Sequence, residues 1–224
     1  SVTEVTVNPL GVVGTVGSST LSLACALAFV GTDSDFIYHR NNGVVLKTQI
    51  SNGNEHTVFT TEGNYWVDAL AGSPAHANLI MVASRSPHKI CVYDLDANTC
   101  VFTKSLSYDA GSGSVAMSPD GTAIAYKVPH SGSSGSICEN SISFDAENCY
   151  SISGNWAGDN GGLAFTRDGQ YIIASNQASD PRVLKITRGA TMTAVDIVDT
   201  ATVGSPFTPR GVAVDADGYV WVVE

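Results

Sequence analysis

The chain has 224 residues, 43% of them hydrophobic, enough to bury a full core within one globular domain. Acidic residues outnumber basic ones 21 to 11, for a formal charge of -10, and such a surface repels phosphate backbones and anionic headgroups, which excludes nucleic acid and membrane as partners. Only 14% of residues are charged while Gly, Ser, Thr and Asn are plentiful, a composition for many short strands joined by turns, and no window carries the period of an amphipathic helix.

At the N-terminus, Val2 to Val7 alternates as VTEVTV, Asn8-Pro9-Leu10-Gly11 reads as a turn, and Val12 to Val16 is a second apolar strand. The run from Leu21 to Val30 is about half the ~20 residues that span a bilayer, so it reads as a core strand. The first residue is Ser and no basic segment precedes an apolar one, so a leader has been cleaved or lies outside the sequence.

From Cys25 onward a unit of about 45 residues recurs. Its clearest copies are SVAMSPDGTAIAYKV from Ser114, GLAFTRDGQYIIASN from Gly162 and GVAVDADGYVWVVE from Gly211, with Asp-Gly pairs at 120, 168 and 217. Gly accepts the positive φ of a tight hairpin and Asp bonds the turn's own backbone. Looser copies begin at Cys25, with Gly-Thr-Asp-Ser-Asp as its turn, and at Tyr65, with a longer loop. A second hairpin follows each first one: Val44 to Thr48 matches Val183 to Thr187, and the segment from Lys89 matches that from Asn140.

Each unit therefore supplies four strands, A to D. The spacing predicts an all-β fold, a five-bladed β-propeller, with blades at about 22–62, 63–109, 110–154 and 155–204. The fifth combines 205–224 with 1–21, the N-terminal strands pairing with the C-terminal hairpin so that its edge is not left bare. The alternative is part of a six- or seven-bladed ring. No composition shift marks a second domain, and the Ser/Gly stretch from His130 to Ser136 reads as a loop between strands B and C.

Five cysteines, at 25, 91, 100, 138 and 149, fit no paired C-x-x-C zinc spacing and point to an oxidising compartment with one or two disulfides. The pairs close in sequence conflict with hairpin geometry. With Asp96 to Thr99 as the loop, Cys100 faces Leu95 and lies roughly 13 Å from Cys91 at ~3.3 Å per residue, whereas a bridge needs Cα atoms within about 7 Å. Buried free thiols and bridges to loops stay open as alternatives.

PRGVAVDADGYVWVVE resembles the repeat of NHL-type propellers, gluconolactonase-like hydrolases and streptogramin lyases, while VAMSPDGTAIAY and VYDLDANTC resemble blades of YVTN-type and lactonase-like secreted propellers. The resemblance speaks to fold and a secreted location, since function lives in sites grafted on a fold. It implies that loops joining D to A and B to C gather with the starts of strand A at a channel mouth. Metal-dependent lactonase-like members hold a divalent cation there with carboxylates and Asn.

In this chain Ala26, Asp68, Ser114, Gly162 and Gly211 enter strand A, so Asp68 alone brings a carboxylate directly, with Asp159 and Asn160 just before Gly161. Three oxygen ligands there would hold calcium loosely; ordinary polar loop tips are the simpler reading, and no cofactor is expected. His39, His88 and His130 fall near the ends of strand B in successive blades, but at offsets that suit solvated imidazoles better than a shared base. Asp94-Leu-Asp96-Ala-Asn98 lacks the Gly and Glu of a calcium loop and reads as a C–D turn. No N-x-[ST] site, Ser-His-Asp order, P-loop or G-x-S-x-G is present.

The D–A loops carry aromatics: Tyr65 and Trp66 in one, Trp156 in another, Phe207 in a third, beside Asp68, Asp159, Asn160 and Arg210. Aromatic faces with polar neighbours suit a sugar or a partner protein; the competing reading wedges each Trp between blades as core. The expectation is a secreted, non-catalytic binding or assembly module for a protein or glycan ligand. Two alternatives stand beside it: a metal-dependent lactonase-like hydrolase or streptogramin-type lyase at the channel mouth, and a self-associating subunit of an extracellular fibre or coat.

Overall fold

The structure, a computed structural model, describes residues 2–7, 13–19, 27–28, 30–31, 36–41, 43–49, 54–60, 67–85, 88–106, 115–129, 135–143, 146–152, 161–176, 181–199 and 207–223. These residues form strands and turns, with no helix among them.

Four antiparallel sheets have four strands each, taken in chain order. They are β3 (Leu27–Ala28), β4 (Phe36–Asn41), β5 (Val44–Gln49) and β6 (Glu55–Thr60); β7 (Val67–Ser73), β8 (His76–Arg85), β9 (His88–Asp94) and β10 (Thr99–Ser105); β11 (Val115–Met117), β12 (Ala123–Pro129), β13 (Gly135–Ser141) and β14 (Glu147–Ile152); β15 (Leu163–Phe165), β16 (Tyr171–Asn176), β17 (Arg182–Thr187) and β18 (Thr193–Asp199). The first strands lie side by side, β3 against β7, β7 against β11, β11 against β15 and β15 against β19 (Gly211–Val214). From this inner row the sheets fan outward.

Successive side chains on a strand point to opposite faces, and here both faces are buried. On β12, Ile124 and Tyr126 pack with Ala69, Met81, Ile90 and Val92 of the preceding sheet. Ala125, between them, packs with Leu163, Ile172, Leu184 and Ile186 of the following one. Burial on both sides explains why inner strands read as continuous apolar runs rather than as alternating ones.

The A–B hairpins close as the Asp-Gly pairs predict, with Gly121 at φ 68° and Gly169 at φ 68°. Two residues before each Asp, a hydroxyl locks the turn. Ser118 Oγ donates to Asp120 Oδ1 at 2.6 Å and accepts the Ala123 N–H at 2.9 Å. Thr166 Oγ1 repeats both bonds, to Asp168 Oδ1 at 2.6 Å and from the Tyr171 N–H at 3.0 Å. In the last copy Asp215 stands in the hydroxyl's place and accepts from the Tyr219 N–H at 2.9 Å and from Trp221 Nε1–H at 2.8 Å.

Two expectations are corrected. β1 (Val2–Val7) pairs antiparallel with β2 (Val13–Ser19), and β19 with β20 (Val220–Val223), but these are two separate two-stranded sheets with no strand pairing between them among the described residues. Among the described residues the fifth blade is not closed. Alternation in VTEVTV specifies a strand and its faces; it does not specify a distant edge, which no short turn holds in register.

The second correction concerns the cysteines: Cys91–Cys100 and Cys138–Cys149 are both disulfides, with Cα atoms 5.9 and 4.1 Å apart. The β9–β10 turn has the expected four residues but falls one residue earlier, at 95–98. Asp94 Oδ1 accepts the N–H groups of Asp96 and Ala97, and Asn98 takes φ 52°. Thr99 therefore faces Asp94 and Cys100 faces Tyr93, and a bulge at Val101 brings Cys100 diagonally onto Cys91. In β13–β14 the two cysteines are direct cross-strand partners.

Candidate functional site

The inner strands enter at one end of the fan and leave through the A–B turns at the other. At the entry end, Asp68 of β7 is buried, 3% exposed. Lys127, near the end of β12, is 4% exposed, and its ammonium donates to the Ser175 carbonyl of the next sheet at 2.8 Å. A buried charge must recover its lost hydration through such bonds. Ser175 also accepts the Gly162 N–H on its hydroxyl at 2.7 Å, tying β16 to the entry of β15.

Two glycines make this packing possible. A Cβ on Gly161 would lie 2.2 Å from Lys127 Nζ and 2.3 Å from the Ser175 carbonyl oxygen. On Gly162 it would lie 2.5 Å from the Val212 nitrogen and 3.0 Å from Gly211 Cα. The residues expected at the starts of two strands A thus touch backbone to backbone. Arg210, exposed and one residue before Gly211, lies beside the entry of β15.

Of the residues expected to form a binding face, Asp68, Phe207 and Arg210 are described, while Tyr65, Trp66, Trp156, Asp159 and Asn160 lie outside the described residues. Phe207 is core: it packs with Ile173 and Val183, and Val212 and Val220 close over it. Arg210 remains available to solvent. Lys127 was missed by sequence reasoning, although a signal exists. It falls on the same face as Ala123 and Ala125 in an otherwise apolar run, so the alternation places its ammonium inside.

At the opposite end the turns are joined in series. The Gly31 N–H donates to the Ser73 carbonyl at 2.9 Å, Ser73 Oγ donates to the Pro119 carbonyl at 2.9 Å, and His76 Nε2–H donates to the Asp120 carbonyl at 2.7 Å. Arg167 reaches the Ala216 carbonyl, and Arg188 joins Gly169 to Glu139. A cleft of about 390 Å³ opens among the strand ends, lined by Pro74, Met117, Pro119, Phe165, Arg167 and Val214.

The carboxylates on this side serve the turns. Burial pushes the Asp120 carboxyl up, but hydrogen bonds from Ser118 and Thr122 outweigh it and hold the group below the usual aspartate range. Asp168 is lowered chiefly by the Thr166 hydroxyl, and Asp215 chiefly by the Trp221 indole N–H. A larger cleft, about 530 Å³, lies on the flank between the fourth four-stranded sheet and the last hairpin. There Lys185 Nζ sits 3.8 Å over the centre of the Tyr171 ring, beside Asp168, Asp217 and Ile197.

No protein-family profile matches the sequence, and no curated protein matches it. Solved structures do. Hydrazine synthase from Kuenenia stuttgartiensis is similar at TM-score 0.67 and 20% identity, over 88% of this chain and 60% of that one. A chain of the nidogen/laminin complex is similar at TM-score 0.62 and 11% identity, over 89% and 71% of the two chains. The β-propeller domain of Swd1 from Myceliophteria thermophila is similar at TM-score 0.62 and 12% identity, over 92% and 64%. The chain spans about three-fifths of the hydrazine synthase chain. With sheets of four antiparallel strands fanned about a shared inner row, these likenesses show one thing: the fold is that of a β-propeller.

Proposed function

We propose that the chain is a secreted, non-catalytic binding module that receives a protein ligand on the strand-entry face, through Trp66, Trp156 and Arg210 beside Asp68, Asp159 and Asn160. The observation that carries this reading is the division of labour between charged groups. Lys127 is buried against the Ser175 carbonyl, and the turn carboxylates Asp120, Asp168 and Asp215 are satisfied within their own hairpins. Arg210 stands exposed at a strand entry that backbone contacts hold in place. Rigid scaffolds carrying exposed loop residues suit binding. Two disulfides accord with an oxidising, extracellular setting. A protein ligand is favoured over a glycan because a chain in the nidogen/laminin complex shares the fold.

The test is an array of purified extracellular proteins printed beside a glycan array, probed with the labelled chain. Trp66→Ala and Arg210→Glu are expected to weaken the strongest protein signal about tenfold or more, as anchor residues do. Asp217→Ala, in the last A–B turn, leaves it unchanged. Signals confined to glycans, or a protein signal indifferent to the entry-face variants, overturn the reading.

A further inference from the structure

Between the second and third four-stranded sheets, on the flank, three strands align a row of reactive groups. Tyr126 of β12 faces Cys138 of β13, which faces Cys149 of β14. Glu147 precedes Cys149 by two residues and so shares its face. The two sulfurs and a Glu147 carboxylate oxygen all lie within 4.8 Å of one another, the one such trio of metal-ligating groups among the described residues. The Tyr126 hydroxyl donates to Glu147 Oε1, and Lys104 of β10 places its ammonium 3.3 Å from Oε2. Cys138 is 2% exposed, whereas Cys149 and Glu147 are open to solvent, at a cleft of about 260 Å³.

We propose that the Cys138–Cys149 bridge covers a zinc site that reduction opens. A dithiol reductant attacks the exposed sulfur of Cys149 and expels Cys138 as thiolate; the reductant's second thiol then releases Cys149 and leaves as a cyclic disulfide. The bridge gains two electrons and two protons. A zinc ion displaces the two thiol protons to solvent and takes both sulfurs, the Glu147 carboxylate and one water. That donor set and a four-coordinate geometry are what zinc accepts, with sulfurs about 2.3 Å from the metal.

Direct cross-strand pairing, with Cα atoms 4.1 Å apart, keeps the two sulfurs adjacent after the bond opens. Charge closes as well: two thiolates and a carboxylate balance the divalent ion and the Lys104 ammonium. Tyr126 and Lys104 each hold one oxygen of the carboxylate, the outer support that metal ligands require. The Cys91–Cys100 bridge has no such carboxylate partner among the described residues.

The experiment uses the full chain reduced with a phosphine under argon, titrated with zinc alone and, for spectroscopy, with cobalt(II). Reduced wild type is expected to bind one zinc per chain and to show sulfur-to-cobalt charge transfer, while the oxidised chain does neither. Cys138→Ser/Cys149→Ser, reduced in the same way, keeps the thiols at 25, 91 and 100 and is expected to lose the zinc. Glu147→Gln, which retains both cysteines, is expected to weaken zinc binding at least tenfold. Circular dichroism of each variant verifies the fold. Equal zinc in the oxidised chain or in the double variant, no zinc in the reduced chain, or an unchanged affinity for Glu147→Gln overturns the proposal.

Discussion

The two ends of the fan hold neighbouring sheets together by different means. At the turn end, polar bonds run from one hairpin to the next, Gly31 to Ser73, Ser73 and His76 to Pro119 and Asp120, Arg167 to Ala216. At the entry end, closeness is steric: Gly161 and Gly162 admit backbone where any side chain would collide, and Lys127 is the polar pin. Single polar contacts can be lost one at a time, whereas backbone contacts cannot yield without moving a strand.

The largest loss follows from Gly162→Ala. Its Cβ would meet main chain 2.5 Å away, so β15 and β19 must part, and denaturant unfolding is expected to show a loss of about 2–3 kcal/mol. A fully stable variant would mean that the seam is slack. Next comes Lys127→Met, which keeps the stem but leaves the Ser175 carbonyl without its ammonium donor. The expected loss is about 1–2 kcal/mol, the usual cost of stranding a buried acceptor. An unchanged midpoint would strip Lys127 of its role as pin.

The smallest effect belongs to the turn end and is read by lowering the pH. Asp120, Asp168 and Asp215 are held below the ordinary aspartate value of 3.8. A folded-state carboxyl lowered in this way contributes its full stabilisation above the unfolded value. That contribution erodes as pH falls below about 3.8 and is gone beneath the folded values. Thermal melts from pH 7 to pH 2 are expected to show this decline, and Asp120→Asn and Asp168→Asn to flatten it by losing at neutral pH the small stabilisation that the ionised carboxylates supply there. An acid slope that survives both substitutions would place the responsible carboxylates elsewhere.

Much of the fold could be read from residues whose physics is local. Asp-Gly at 120 and 168 demanded positive φ within a hairpin, and both hairpins formed there. Paired apolar runs marked strands that are buried on both faces. What escaped was set by distance or by small shifts. Nothing local announced the bulge at Val101, yet it is part of what lets Cys91 and Cys100 meet. The turn after Asp94 was placed late, and a change of two residues in pairing was enough to turn an allowed bridge into a forbidden one. Likewise VTEVTV could name itself a strand without naming its partner.

For the residues singled out as a binding face, it is their place in the fold that can be compared. Asp68 and Arg210 were singled out by position and do lie at strand entries, whereas Phe207 shows how an aromatic in a loop can belong to the core. Lys127 was overlooked because a lone lysine is ordinarily given to the surface.

The contact of Gly162 with Gly211 and Val212 bears on how this scaffold can diversify. Along that seam any added side chain meets peptide groups, whose chemistry is the same in every descendant of the chain. Substitution cannot add a side chain there without parting the two strands. Variation is pushed outward, into loops that can lengthen, shorten or change residues while the spacing beneath them stays constant.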